Sequence, residues 1–176
     1  MSDRTLTITA ADLTDGLYTG TEQVDDFQGN IVIDDDLGVV RFAGSLRASG
    51  HIRAKTGSDI WANGSIWCGE RIRAGGSISA GGSIWADWSI SAGGNIWAGG
   101  SIRAGGSIRA VGRISAGGSI WAGGSISAGG SISAATITCQ TFNGGELARG
   151  TLVETGATAT PGTAPEAEEA TSETAA

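Results

Sequence analysis

From Ile60 to Ile132 an isoleucine stands at every sixth position, thirteen in all: Ile60, Ile66, Ile72, Ile78, Ile84, Ile90, Ile96, Ile102, Ile108, Ile114, Ile120, Ile126 and Ile132. The unit around each reads Gly-Gly-Ser-Ile-x-Ala with few departures, and x is Trp, Arg or Ser. A helix turn takes about 3.6 residues, so a six-residue spacing would drift around its circumference and leave no apolar face. Ile and Ala are two residues apart, which is the period of a strand; Ser and x then point the other way, and Gly-Gly breaks one strand from the next. A short period repeated many times is the pattern of a β-solenoid. The expected fold class is all-β, a single-stranded parallel β-solenoid.

The periodicity starts before its regular part. Val40, Leu46 and Ile52 are also six apart, and two extra residues then enter within residues 55–59, which reads as a bulged corner loop. After Ile132 the unit decays through Ile137 and Phe142 to Leu147. The organisation expected is an acidic N-terminal cap over residues 1–38, the solenoid with a C-terminal cap over 39–150, and a disordered acidic tail over 151–176. The tail holds few apolar side chains to offset the entropy of ordering. Residues 5–9 and 30–33 read as short strands. Asp34, Asp35 and Asp36 read as a solvated turn, because the alternate-ligand spacing, glycine and distant glutamate of a calcium loop are missing.

Six residues make one side, and the outward residues sort differently with two or three sides to a coil. Three sides give coils of 18 residues and the columns Trp61, Ser79, Trp97, Ser115, Ser133; Trp67, Trp85, Arg103, Trp121; and Arg73, Ser91, Arg109, Ser127. Two sides give coils of 12 and separate bulky from small residues more cleanly. Three inward isoleucines fill a triangular core better, and three sides place Trp and Arg in one ladder at about 4.8 Å spacing. Three sides are therefore expected. The sixteen sides from Val40 to Ile132 make about five coils at that strand spacing.

Glycine, at 31 of 176 residues, follows no Gly-X-Y period, which excludes collagen. No apolar run is long enough to span a membrane and no secretion signal is evident, so a cytoplasmic protein is expected. The net charge of −7 hides a segregation: residues 39–150 carry ten basic and four acidic groups, whereas the flanks carry one basic and fourteen acidic. Such a body can meet an acidic end of another copy, or hold an anionic polymer.

Catalytic, metal and cofactor chemistry find no candidate. His51 is single and takes an outward Ser position; Cys68 and Cys139 take inward Ala positions far apart, without a Cys-x-x-Cys motif. The candidate binding and interface residues are instead Trp61, Trp67, Trp85, Trp88, Trp97 and Trp121 with Arg73, Arg103 and Arg109. Tryptophan and arginine are enriched at interface hot spots, and exposed tryptophan also stacks on sugars or bases.

The run Gly-Ser-Ile-x-Ala resembles the solenoid core of bactofilins, the polymer-forming cytoskeletal proteins of bacteria, over about residues 38–145. The resemblance implies a three-sided right-handed β-helix with flexible tails that polymerises end to end without nucleotide. This chain departs from that pattern in its almost pure Ile interior, near-identical units and frequent outward Trp. Near-perfect repetition also suits a phage or virion component. The left-handed hexapeptide acyltransferases fit less well, since they want a small or acidic residue after the aliphatic one. The expected role is a non-enzymatic, self-associating structural protein. The alternative is a binding module for an anionic or sugar polymer.

Overall fold

Residues 4–143 and 146–155 are described by a computed structural model. They form a parallel β-solenoid of about 18 residues per coil and about 7 turns. Each regular strand is only three residues, Ile-x-Ala, with Ile and Ala buried and x outward. Three strands, separated by corners, complete a coil.

The first face runs through Thr5–Ile8, Asn30–Ile33, Ile52–Ala54, Ile72–Ala74, Ile90–Ala92, Ile108–Ala110, Ser125–Ala128 and Thr141–Asn143. The second starts from the short antiparallel pair Leu13–Thr14 and Leu17–Tyr18, passes to Gly38–Phe42 and continues through Ser58–Ala62, Ile78–Ala80, Ile96–Ala98 and Ile114–Ala116. The third comprises Leu46–Ala48, Ile66–Cys68, Ile84–Ala86, Ile102–Ala104 and Ile120–Ala122. Strand Ile132–Cys139 turns the last corner, pairing Ile132 with Ile114 on the second face and Ile137 with Ile120 on the third. The regular pairings are Ile to Ile and Ala to Ala eighteen residues on, with Cys68 in one alanine position, which decides between three sides and two. The solenoid is longer than five coils because less repetitive segments at both ends continue the pairing.

All thirteen isoleucines are buried. Each contributes about 1.5–3 kcal/mol by leaving water, and the stacked coils make one continuous cluster. At the N-terminal end Phe27 and Phe42 replace alanine in the inward slots and are themselves buried, with Tyr18 lying 5.7 Å from Phe42.

The corners explain the rest of the repeat. Serine is not simply outward: its Oγ accepts the backbone N–H of the residue one coil later, as in the ladder Ser45, Ser65, Ser83, Ser101 and Ser119. Asp59 and Asn95 use carboxylate and amide oxygens in the same way toward Ser77 and Arg113. The paired glycines of the repeat do not need positive φ. They are there because successive corners stack backbone on backbone; a Cβ on Gly99 would overlap the carbonyl oxygen of Gly81.

The expected bulge at residues 55–59 is present and stacks on the Asp34–Asp36 turn. Asp36 and Gly38 donate backbone N–H bonds to Thr56 and Gly57 carbonyls. Lys55 Nζ lies 2.6 Å from Asp34 Oδ1 and 3.4 Å from Asp35 Oδ2. Ser58 Oγ is buried, donates to Asp34 O at 2.7 Å and accepts from Leu37 N at 3.0 Å. Two carboxylates of the aspartate turn thus answer one lysine, and the extra residues carry Lys55 to them and Ser58 to the turn's backbone.

The C-terminal boundary differs from the sequence reading. Strand Leu147–Glu154 pairs with Ile132–Cys139, so residues 151–154 belong to the last coil rather than to a tail. The expected disorder of the remainder lies, from residue 156, outside the described residues. Among the described residues no helix is long and apolar enough to cross a membrane.

Candidate interaction surfaces

Because x recurs every eighteenth residue on each face, the three faces carry three different chemistries. The third face displays Arg47, Trp67, Trp85, Arg103 and Trp121 on consecutive coils. The Arg47 guanidinium lies 4.4 Å from the Trp67 ring centroid, Trp67 and Trp85 are 5.2 Å apart and tilted by 41°, and Arg103 lies 4.6 Å from Trp121. These contacts match cation–π and tilted aromatic geometry, so part of this ladder stabilises the coil stack itself. Arg47 also reaches Asp26 of the N-terminal segment at 3.6 Å.

The second face alternates: Arg41, Trp61, Ser79, Trp97, Ser115 and Ser133. Trp97 stands between two serines, so its indole has no outward aromatic or arginine neighbour in the column; it is 46% exposed. On the first face the column is Val32, Arg53, Arg73, Ser91, Arg109 and Ser127, with no aromatic member.

The structure therefore separates residues that the sequence grouped together. Trp67, Trp85, Arg103 and Trp121 share the third face, Trp61 and Trp97 the second, and Arg73 and Arg109 the first. Trp88 belongs to none of these columns. It replaces the second glycine of a corner between the third and first faces, is 54% exposed, and has the Arg71 guanidinium 4.9 Å from its ring. Arg47 and Arg53 complete two columns yet escaped notice, because the bulge makes their coil twenty residues long; counting twenty back from Trp67 and Arg73 finds both.

His51 holds a Ser position, where its N–H is bonded to Asn30 Oδ1 at 3.0 Å and its Nδ1 lies 4.0 Å from Glu70. Cys68 and Cys139 are buried free thiols on the inward side. Burial pushes the Cys68 thiol up to about 12, so it stays protonated and unreactive. Burial likewise raises Cys139, with Glu154 adding to the effect.

The two ends differ. At the C-terminal end the inward positions of the last coil are Phe142, Leu147 and Leu152, one facing each isoleucine column of the coil before. None is fully buried; Leu147 is 38% exposed, and Val153 on the same strand is 43% exposed. No described strand covers the outer edge of Leu147–Glu154. At the N-terminal end the acidic residues Asp15, Glu22, Asp25 and Asp26 are exposed around the aromatic plug. No protein-family model, curated protein or solved structure matches this chain.

Proposed function

We propose that this chain is a non-enzymatic structural protein that self-associates, the role its bactofilin-like repeat implies. The observation that carries the reading is the C-terminal end-plate: Phe142, Leu147 and Leu152 continue the interior of the solenoid yet remain partly open, beside an eight-residue strand with a free outer edge among the described residues. An exposed parallel edge over an apolar core is a template for another chain, and covering it removes the cost of leaving both in water. The Trp97 face and the Arg47–Trp121 ladder supply rigid aromatic and arginine side chains for lateral contact between rods.

The reading is tested by sedimentation velocity over a wide concentration range, on the full chain and on a Leu147→Lys/Leu152→Lys variant. The parent gives species larger than a monomer that grow with concentration. The variant, its end-plate charged, stays monomeric with an unchanged circular dichroism spectrum. A parent that remains monomeric throughout overturns the proposal.

A further inference from the structure

The first face carries a charge arrangement that the fold does not need. Arg53 and Arg73 stand opposite each other on neighbouring strands, and both are exposed. Like charges so placed repel, at a cost that a serine in either position would avoid. The same column uses serine at Ser91 and Ser127. At this end of the rod Arg4 is answered by Glu22, Arg47 by Asp26 and Lys55 by Asp34 and Asp35, while Arg41 on the second face, like the arginines of the first, forms no ion pair among the described residues. Among the described residues Arg53, Arg73, Arg109 and Arg71 form no ion pair.

Shallow grooves flank the Arg53–Arg73 pair on both sides. One is bordered by His51, Glu70, Arg71 and Trp88, the other by Asp35, Lys55 and Thr56. Farther along the rod Ser91 leaves a notch between Arg73 and Arg109, two coil spacings wide, or about 10 Å. Trp88 stands at the corner that leads into Ser91. The next residue in its corner column is Gly106, which donates its N–H to the Trp88 carbonyl and offers no side chain to cover the indole. A tryptophan in a glycine slot, backed on one side by Arg71 and more than half exposed, is a platform with no aromatic partner among the described residues.

We propose that this face binds single-stranded nucleic acid, with phosphates held by Arg53, Arg73 and Arg109 and a base stacked on Trp88. Guanidinium groups match phosphate oxygens with paired N–H donors, and a bound phosphate relieves the Arg53–Arg73 repulsion. Arginines tracking a backbone beside an aromatic platform are the two parts that sequence-tolerant single-strand binding requires. A polyanion with neither bases nor sugars, such as inorganic polyphosphate, would use the arginines and ignore Trp88, which separates simple charge binding from stacking. The site lies apart from the end-plate and from the two tryptophan-bearing columns, so it stands or falls independently of self-association.

The test is fluorescence anisotropy of a labelled oligothymidylate of about fifteen nucleotides, titrated with the full chain between about 50 and 200 mM salt. Binding is expected at low salt and weakens as salt rises. Arg53→Ser/Arg73→Ser/Arg109→Ser weakens it at least about tenfold and flattens the logarithmic salt slope by about 2, the share of three phosphate contacts to a single strand. Trp88→Gly weakens it about tenfold with the slope unchanged. Arg41→Ser, on the second face, leaves it unaltered. Serine and glycine already occupy these columns in other coils, and a cooperative melt like the parent's verifies each variant's fold. No binding at low salt, or an undiminished triple variant, overturns the proposal. So does an undiminished Trp88→Gly variant, above all if inorganic polyphosphate competes equally well, and so does a sulfated glycan that binds more tightly than the oligothymidylate.

Discussion

A methyl group added at Gly99 would overlap the carbonyl oxygen of Gly81, whereas one added at Gly44 would meet nothing within 4 Å. Neither glycine has positive φ, so the contrast isolates crowding from backbone strain. Gly99→Ala is expected to cost about 1–3 kcal/mol, as overpacking does, because the stacked corners must move apart. Gly44→Ala is expected to be neutral or to stabilise by up to about 1 kcal/mol through the unfolded chain. Urea melts of the two variants check this, and equal effects would remove the stacked-corner explanation. At this scale sequence and structure agree unevenly. The inward direction of Ile60 through Ile132 follows from their spacing alone, because a period of two permits no other partition with Ala. The task of Ser83 or Ser101 does not follow, since an outward serine looks the same whether it faces water or receives an N–H from the next coil.

Among the elements, the corner built from Asp34–Asp36 and residues 55–59 is where one lysine meets two carboxylates of the preceding coil. Lys55, through its hydrogen bond and charge, holds the Asp34 carboxyl below its ordinary 3.8, and Asp34 in turn raises Lys55 above its ordinary 10.5. The Asp34 contribution is therefore present above pH 3.8 and lost as pH falls through the lowered folded value. The Lys55 contribution is present below pH 10.5 and lost as pH rises through the raised folded value. Both groups sit in water, so the effect is small. Between pH 5 and pH 2 the parent is expected to lose slightly more thermal stability than a Lys55→Met variant, measured by melting temperature; equal losses would mean the pair adds nothing. The inserted residues were visible in the spacing, and so was the bulge. What they carry was not, because their partners lie twenty-one residues earlier in the chain. The same insertion hid Arg47 and Arg53, whose columns are regular in space and irregular in sequence.

For the whole molecule, repetition made the solenoid legible and also left its coil size ambiguous, since identical units pair as well at 12 as at 18 residues. The distribution of Trp, Arg and Ser at x gave ordered columns in both registers, so the filling of a triangular core by three isoleucines had to weigh for eighteen. The end coils were harder to foresee. Leu6, Phe27, Phe142, Leu147 and Leu152 keep the inward direction while abandoning the motif, because a terminal coil meets a cap or an open end rather than another copy of itself. The result is a rod with an aromatic plug at one end, an apolar plate at the other, and three faces of unlike chemistry. Every assignment of Trp61, Trp88 or Arg73 to a surface depends on the coil of eighteen. The direct measurement is disulfide formation between paired cysteines in a Cys68→Ala/Cys139→Ala background, both changes to the residue that the inward column already prefers. Ser115→Cys with Ser133→Cys, partners on adjacent strands, is predicted to close an intramolecular disulfide under mild oxidation, being within the reach such a bond requires. Ser115→Cys with Ser127→Cys, twelve residues apart and on different faces, is predicted to stay open; the reverse outcome would contradict the three-sided solenoid and every surface drawn from it.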